Sequence, residues 1–338
     1  MVIFNEKQKD NLKDFGILIP ISDSKSRKAM EFLSDHHLVK NHINEWLITE
    51  IKEKITKEDL LRVHSKEYVD RLYSDKLQHE IMKSFELVDN EGNYNRYDPE
   101  IATLPFSFLF ENILNKVAGT AYCMKTALEK GFCFYFGGGM HHAKLDYGEG
   151  FCVVNDLVIS IRKLQAEKKI GTVWIIDVDA HKGDGTASLT KDDESIFTLS
   201  IHMAKSWPLD GQEFINGKPN PSFIPSDMDI PVEEGEDGLY VQKLREGLEK
   251  LKTFKKPDIA LVVDGSDPFE EDELPSTKGL KLSLEQMKER DISVYNFLKS
   301  QNIPGAYVMA GGYGENSWKV YAQFLEHVLL ERLGYDTK

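Results

Sequence analysis

The chain has 338 residues, 42 of them Lys or Arg and 56 Asp or Glu, giving a net charge of −14, and 41% of its positions are hydrophobic. Such a chain can bury a sizeable core, and without clustered positive charge it is a poor candidate for a nucleic-acid or anionic membrane surface. The first twenty residues carry charges where a secretion signal needs an apolar stretch, and no run is long enough to span a bilayer, so a cytoplasmic protein is expected. Cys123, Cys133 and Cys152 form no CxxC pair and are expected as buried thiols rather than disulfides or zinc thiolates.

Taken in chain order, apolar runs recur at 16–21 (GILIPI), 132–136 (FCFYF), 172–177 (TVWIID), 196–201 (IFTLSI), 259–264 (IALVVD) and 306–310 (AYVMA). They are continuous rather than alternating, the pattern of strands covered on both faces of a parallel sheet. Helical stretches lie between them. Thr56 with Asp59 predicts a capping box before LLRVHSKEYVDRLY, and Ser283 with Gln286 another before a helix that has Leu284, Met287, Val294 and Leu298 on one face. Strand alternating with helix implies a layered α/β fold, and with no repeat or linker in between, one domain over 1–338 with its core in about 15–330. Segments 85–107 and 203–230 fit neither period and read as long loops, either rims of a site or ordinary surface excursions.

Ligands of parallel sheets lie beyond the carboxyl ends of the strands. Four of those ends carry unusual chemistry: GGGMHHA with His141 and His142, DVDAHKGDG with Asp177, Asp179, His181 and Asp184, DGSDPFEED with Asp264 and Asp267, and AGGYG with Tyr313. Asp179 and His181 are two residues apart, so in an extended segment both side chains leave one face and can chelate an ion, with Asp267 as a third ligand. Two carboxylates and an imidazole suit a divalent first-row metal and leave a coordination position open. An aspartate ending a strand is also a common helix cap, so the spacing alone leaves both readings open; four loaded ends together favour the site.

The glycines at 137–139 permit a turn from which His141 and His142 can face one cavity. A phosphate-cradling loop is the rival reading, but no Lys-Ser/Thr follows. Asp177 and Asp184 are placed to orient the two imidazoles. Tyr313 can reach a bound carbonyl or simply pack beside Trp318. His36, His37, His42, His64, His79 and His327 are assigned to surface or core.

In this order GGGMHHA, GFCVVND (150–156), DVDAHKGDGT, TLSIH (198–202), DGSDPFEED and AGGYG, together with VHSKEYVDRL (63–72), resemble the zinc-dependent histone deacetylase family, closest in motif to its class IV-like and bacterial members. The resemblance covers about residues 15–330. It implies the three-layer arginase/deacetylase fold, a mainly parallel eight-stranded sheet between helices, and amide hydrolysis with one zinc per chain, held by Asp179, His181 and Asp267. It implies His142, paired with Asp184, as general base and acid, His141, paired with Asp177, as electrostatic partner, and Tyr313 as oxyanion donor. Phe151 and Gly150 of the GFC motif, Trp207 of the long loop and Asp98 are implied for the substrate tunnel. A monovalent cation, potassium in this family, is implied beside Asp177, Asp179, His181, Ser200 and Ile201.

The sequence departs from the family at Lys182, where HKGDG replaces the commoner HHGDG, and after His202, where MAKSWPLDG lacks the usual Pro-Gly-Thr-Gly-type rim. The implied substrate is an acetylated lysine in a protein; the alternative is an acetylpolyamine or other small acyl amide. The run Glu270–Glu273 could attract a distal ammonium, or be a solvated loop or helix start. A dimanganese ureohydrolase of the arginase type needs aspartates at spacings not seen here, and a non-catalytic acyl-ligand binder would not need every catalytic residue. No nucleic-acid or membrane partner is expected, and an oligomer whose neighbour closes the tunnel remains open.

Overall fold

The computed structural model describes residues 1–6, 11–19, 24–89 and 91–336. Its frame is an all-parallel eight-stranded sheet: β1 (Val2–Ile3), β2 (Leu47–Ile48), β3 (Phe132–Tyr135), β4 (Val173–Asp177), β5 (Ile196–Met203), β6 (Met228–Val232), β7 (Ile259–Asp264) and β8 (Gly305–Met309). Their order across the sheet is β2-β1-β3-β8-β7-β4-β5-β6.

Alternate residues of one strand enter opposite layers, which is why the central runs are apolar throughout. Val173, Ile175, Leu261, Val263, Ala306 and Val308 pack under the helices α2 (Phe106–Lys130) and α3 (Asp156–Ala166). Trp174, Ile176, Ala260, Val262 and Tyr307 face the other layer. That layer comprises α1 (Ser24–Asp35), α5 (Tyr240–Leu251), α6 (Leu284–Ser300) and α7 (Trp318–Arg332), with α4 (Asp184–Thr190) beyond the end of β4. This is the three-layer arginase/deacetylase fold, and among the described residues no helix is long and apolar enough to cross a membrane.

Five predicted strands are found within a residue or two of their expected bounds, and both capping boxes form. Met287, Val294 and Leu298 of α6 are buried as the period requires. The segment after Thr56 is not one helix: it breaks after Leu61, and Ser65 starts a second helix, Lys66–Leu72, by accepting from Tyr68 N.

The 16–21 run is a correction. Residues 16–19 join no strand of the sheet, Ile17 making only a bridge to Tyr97, and positions 20 and 21 lie outside the described residues. Burial, not pairing, makes this stretch apolar, since Ile17 and Ile19 pack into the loop-side core. β1 and β2, two residues each, are too short for a period to show, and β6 lies at the sheet edge within what reads as the second loop. That loop also holds a small hairpin of Phe214–Ile215 with Lys218–Pro219.

Candidate active site

The four loaded strand ends belong to β3, β8, β7 and β4, which are adjacent in the sheet although far apart in the chain. Chain order and sheet order diverge there, since β3 is followed in sequence by β4 but separated from it in space by β8 and β7; such a reversal opens a crevice at the carboxyl edge.

In that crevice Asp179, His181 and Asp267 converge, all buried, with one donor atom from each lying within 4.8 Å of the others. His181 Nδ1 faces Asp179 Oδ1 at 3.3 Å and Asp267 Oδ2 at 3.1 Å, while its Nε2 meets Ser276 Oγ at 3.1 Å. Ala180 N donates to Asp267 Oδ1 and Gly311 N to Asp179 Oδ2, so backbone groups of neighbouring strand ends fix the carboxylates. The electrostatics call for a cation. Burial would lower the His181 pKa, yet the two carboxylates lift it to about 10; burial and Asp179 push Asp267 up to about 7. Two carboxylates and an imidazole held this close leave negative charge that a divalent metal would offset, so the donor set fits such an ion.

Beside it lie two His–Asp pairs. His141 Nδ1 donates to Asp177 Oδ2 at 2.7 Å and His142 Nδ1 to Asp184 Oδ1 at 2.8 Å, with the two rings 3.9 Å apart. Their turn is set by Gly138 and Gly139 at φ +82° and +75°, and a Cβ at Gly139 would meet Ala310 at 2.7 Å. Asp156 holds the turn by accepting from Gly139 N and Met140 N. The two imidazoles differ in charge. Burial opposes protonation of both, but Asp177 and Asp179 raise His141 to about 9, whereas burial and His141 push His142 down to about 3.

Tyr313 lines the same cavity as His141, His142, Asp179, His181 and Phe151, a space of about 550 Å³. Its ring meets Phe151 edge-on at 6.1 Å, not Trp318, which packs on Phe32. Burial and the carboxylates of Asp267 and Asp179 push its hydroxyl pKa well up, so it keeps its proton. Phe85 continues the wall behind Phe151 at 6.3 Å. Trp207 stands over His142 at 4.5 Å and His181 at 5.7 Å, and Gly150 makes room for it, since a Cβ there would lie 2.4 Å from the indole.

Asp98 and Trp207, both expected at the tunnel, are not among the residues that line this cavity; Asp98 Oδ1 caps the short helix Pro99–Ile101 by accepting from Glu100 N. Ser200 and Ile201 lie on β5 beside β4, Ser200 opposite Asp177, with Ser200 Oγ 3.0 Å from His202 Nδ1. Lys182 is outside the ligand set and donates to Ile224 O. The acidic run is mostly occupied: Glu271 accepts from Asn316 Nδ2, Asp272 from Tyr313 N and Glu273 from Glu315 N, binding this loop to the one that carries Tyr313. The three cysteines are buried and unpaired, and His64 is a core residue that contacts Lys144 O.

Sequence reasoning missed Lys144, Arg290, Lys25 and Asp272. Lys144, two residues after the histidine pair, had a positional signal. Arg290, inside an amphipathic helix, had none. Lys25 is buried with its pKa lowered by desolvation to about 8, and donates to Ala310 O and Gly312 O in the loop leading to Tyr313.

A buried carboxylate–imidazole cluster that could hold a metal, flanked by two oriented histidines at the carboxyl edge of this sheet, defines a hydrolase of the arginase/deacetylase fold. The chain matches the histone deacetylase domain over residues 19–329. It is 33% identical over 235 residues to an uncharacterized protein of Picosynechococcus, covering 69% of this chain and 72% of that protein. It is 29% identical over 319 residues to histone deacetylase 2 of Arabidopsis thaliana (92% and 74%). With the acetoin utilization protein AcuC of Staphylococcus aureus it shares 32% over 197 residues (58% and 49%). The protein belongs to the histone deacetylase family.

Proposed function

We propose that the protein is a zinc-dependent deacetylase, acting as a single domain, that hydrolyses acetylated lysine side chains of proteins. The observation that carries this is the convergence of Asp179, His181 and Asp267 with the two His–Asp pairs on one cavity wall. Bound zinc supplies a Lewis acid for the acyl oxygen and for water. His142, neutral and with its Nδ1–H committed to Asp184, accepts the proton of the attacking water at Nε2 and returns it to the leaving amine. His141, charged and paired with Asp177, stabilises the developing negative charge. Tyr313, its phenol protonated, donates to the tetrahedral oxyanion.

Phe151 and Phe85, which line the cavity, form apolar walls suited to the methylenes of a lysine side chain. The reading includes a monovalent cation beside Asp177, Asp179, His181, Ser200 and Ile201. Glu271, Asp272 and Glu273 accept from the loop that carries Tyr313, which accounts for the acidic run without a cationic substrate.

The test is acetate release by the zinc-loaded protein from an acetyl-lysine peptide and an acetylated polyamine side by side, with metal content measured. Preference for the peptide at one metal per chain is expected. Preference for the polyamine overturns the substrate, two metals revive the ureohydrolase reading, and no release from either overturns the deacetylase itself.

A further inference from the structure

The two His–Asp pairs look alike in sequence, but their far sides differ. Asp177 spends Oδ2 on His141 and Oδ1 on Asp179 N, and among the described residues no lysine or arginine pairs with it. Asp184 spends Oδ1 on His142 Nδ1 and Gly185 N, and its Oδ2 receives the ammonium of Lys144. That ammonium is almost wholly buried, its side chain 3% exposed. It also pairs with Glu149, the residue before Gly150, and reaches His142 O at 3.4 Å and Ser222 Oγ at 3.5 Å. A buried lysine is costly to desolvate unless paired, so its charge is held by these partners.

We propose that Lys144 is the positioning residue of the catalytic base. By holding Asp184 Oδ2, it keeps Asp184 an ionised acceptor locked to His142 Nδ1–H, which leaves His142 Nε2 bare toward the reacting centre. The inference rests on the deacetylase reading for what the bare nitrogen does, but not for its existence. Hydrogen bonding explains the selectivity: an ionised carboxylate only accepts, whereas a protonated one can donate. Without the ammonium, Asp184 and Glu149 would be left buried without their shared cation. With Oδ2 no longer held, Asp184 is free to turn away from His142 Nδ1, and the ring, no longer committed to one tautomer, can carry its proton on Nε2. That is the wrong tautomer for a base facing the cavity.

The test uses the full chain with 15N-labelled histidine and three variants: Lys144→Met, Lys144→Arg, and Lys144→Met with Glu149→Gln, which removes the leftover carboxylate charge should the single variant fail to fold. NMR reads the His142 tautomer and the solvent exchange of its Nδ1–H; steady-state assays on the zinc-loaded protein read kcat and KM separately. In the folded Met variants we expect loss of the slowly exchanging Nδ1–H and a kcat reduced roughly 10- to 100-fold, as loss of an orienting partner costs, with KM within about threefold. Lys144→Arg should restore the Nδ1–H and part of kcat. A folded double variant that keeps the Nδ1–H resonance overturns the proposal, whether or not kcat falls. Should the wild-type protein release no acetate, the NMR result still decides the positioning role, and only the deacetylase reading fails.

Discussion

Arg290 is the buried charge on which the strand ends carrying the proposed metal ligands rest, and its removal is the sharpest test of how the site is supported. The side chain is 0% exposed. Its guanidinium donates to Asp264 Oδ1 and Asp291 Oδ1, each at 2.6 Å, to Gly265 O at 2.6 Å and to Val178 O at 3.0 Å. Val178 precedes Asp179, and Gly265 lies two residues before Asp267, so one planar fork ties together the ends of β4 and β7 that carry two of the proposed ligands. Arg290→Met fills similar volume but strands the Asp264–Asp291 pair and two carbonyls. Breaking a buried pair by removing one partner costs about 3–5 kcal/mol. With an unfolding entropy of roughly 2 cal/mol/K per residue, about 0.7 kcal/mol/K for this chain, 4 kcal/mol lowers the melting temperature by roughly 6 °C. Urea unfolding and calorimetry of the metal-loaded protein measure this. Arg290→Lys keeps the charge but not the fork, and should fall between the two. A Met variant within about 1 kcal/mol of wild type, or a Lys variant indistinguishable from it, would refute the account.

Three further outcomes follow from the geometry. Tyr313→Phe should lower kcat by on the order of a hundredfold with the fold intact, the usual loss for one oxyanion donor, and an unchanged kcat removes the phenol from the mechanism. Chelation should lower the melting temperature, and one equivalent of zinc should restore it; at about a hundredfold excess of free ion over Kd the stabilisation is roughly 2.7 kcal/mol, and an unshifted melt under chelation argues against a resident ion. Asp264 is pushed well above the usual carboxylate range by burial and Asp291, so the folded chain keeps a proton that the unfolded chain releases above about pH 4. Its contribution is therefore full at low pH and lost as pH rises through the folded pKa. Asp264→Asn, which mimics the protonated acid, should flatten the fall of urea stability as pH rises above about 4, and parallel curves for the two proteins would contradict the proton held on Asp264.

The central sheet was legible because its strands are buried on both faces: Ile259–Asp264 is apolar at every position until the aspartate that ends it. Where that condition lapses, legibility lapses too. Met228–Val232 is a half-buried edge strand containing Pro231, and Val2–Ile3 is too short to carry a period. The Gly16–Ile19 stretch is the converse, apolar for burial yet outside the sheet, since hydrophobic pattern reports burial and not hydrogen-bond partners.

The site divides along the same physical line. Asp179, His181, Asp267 and the histidine pair were readable because each lies at the end of a recognisable strand. Lys144, Arg290 and Asp272 were not, because each acts through another residue in space: Lys144 on Asp184, 40 positions away, Arg290 on Val178, 112 away, and Asp272 on Tyr313, 41 away. Asp272 shows the cost of reading charge by composition. In sequence it belongs to an acidic run whose natural uses are solvation or attraction of a cationic ligand, yet its carboxylate takes Tyr313 N–H at 2.7 Å together with Leu274 N and Thr277 Oγ1. Those three donors tie Asp272 to the loop that carries Tyr313 and to its own turn. Glu271, Asp272 and Glu273 thus have a structural use, holding the loop on which Tyr313 stands.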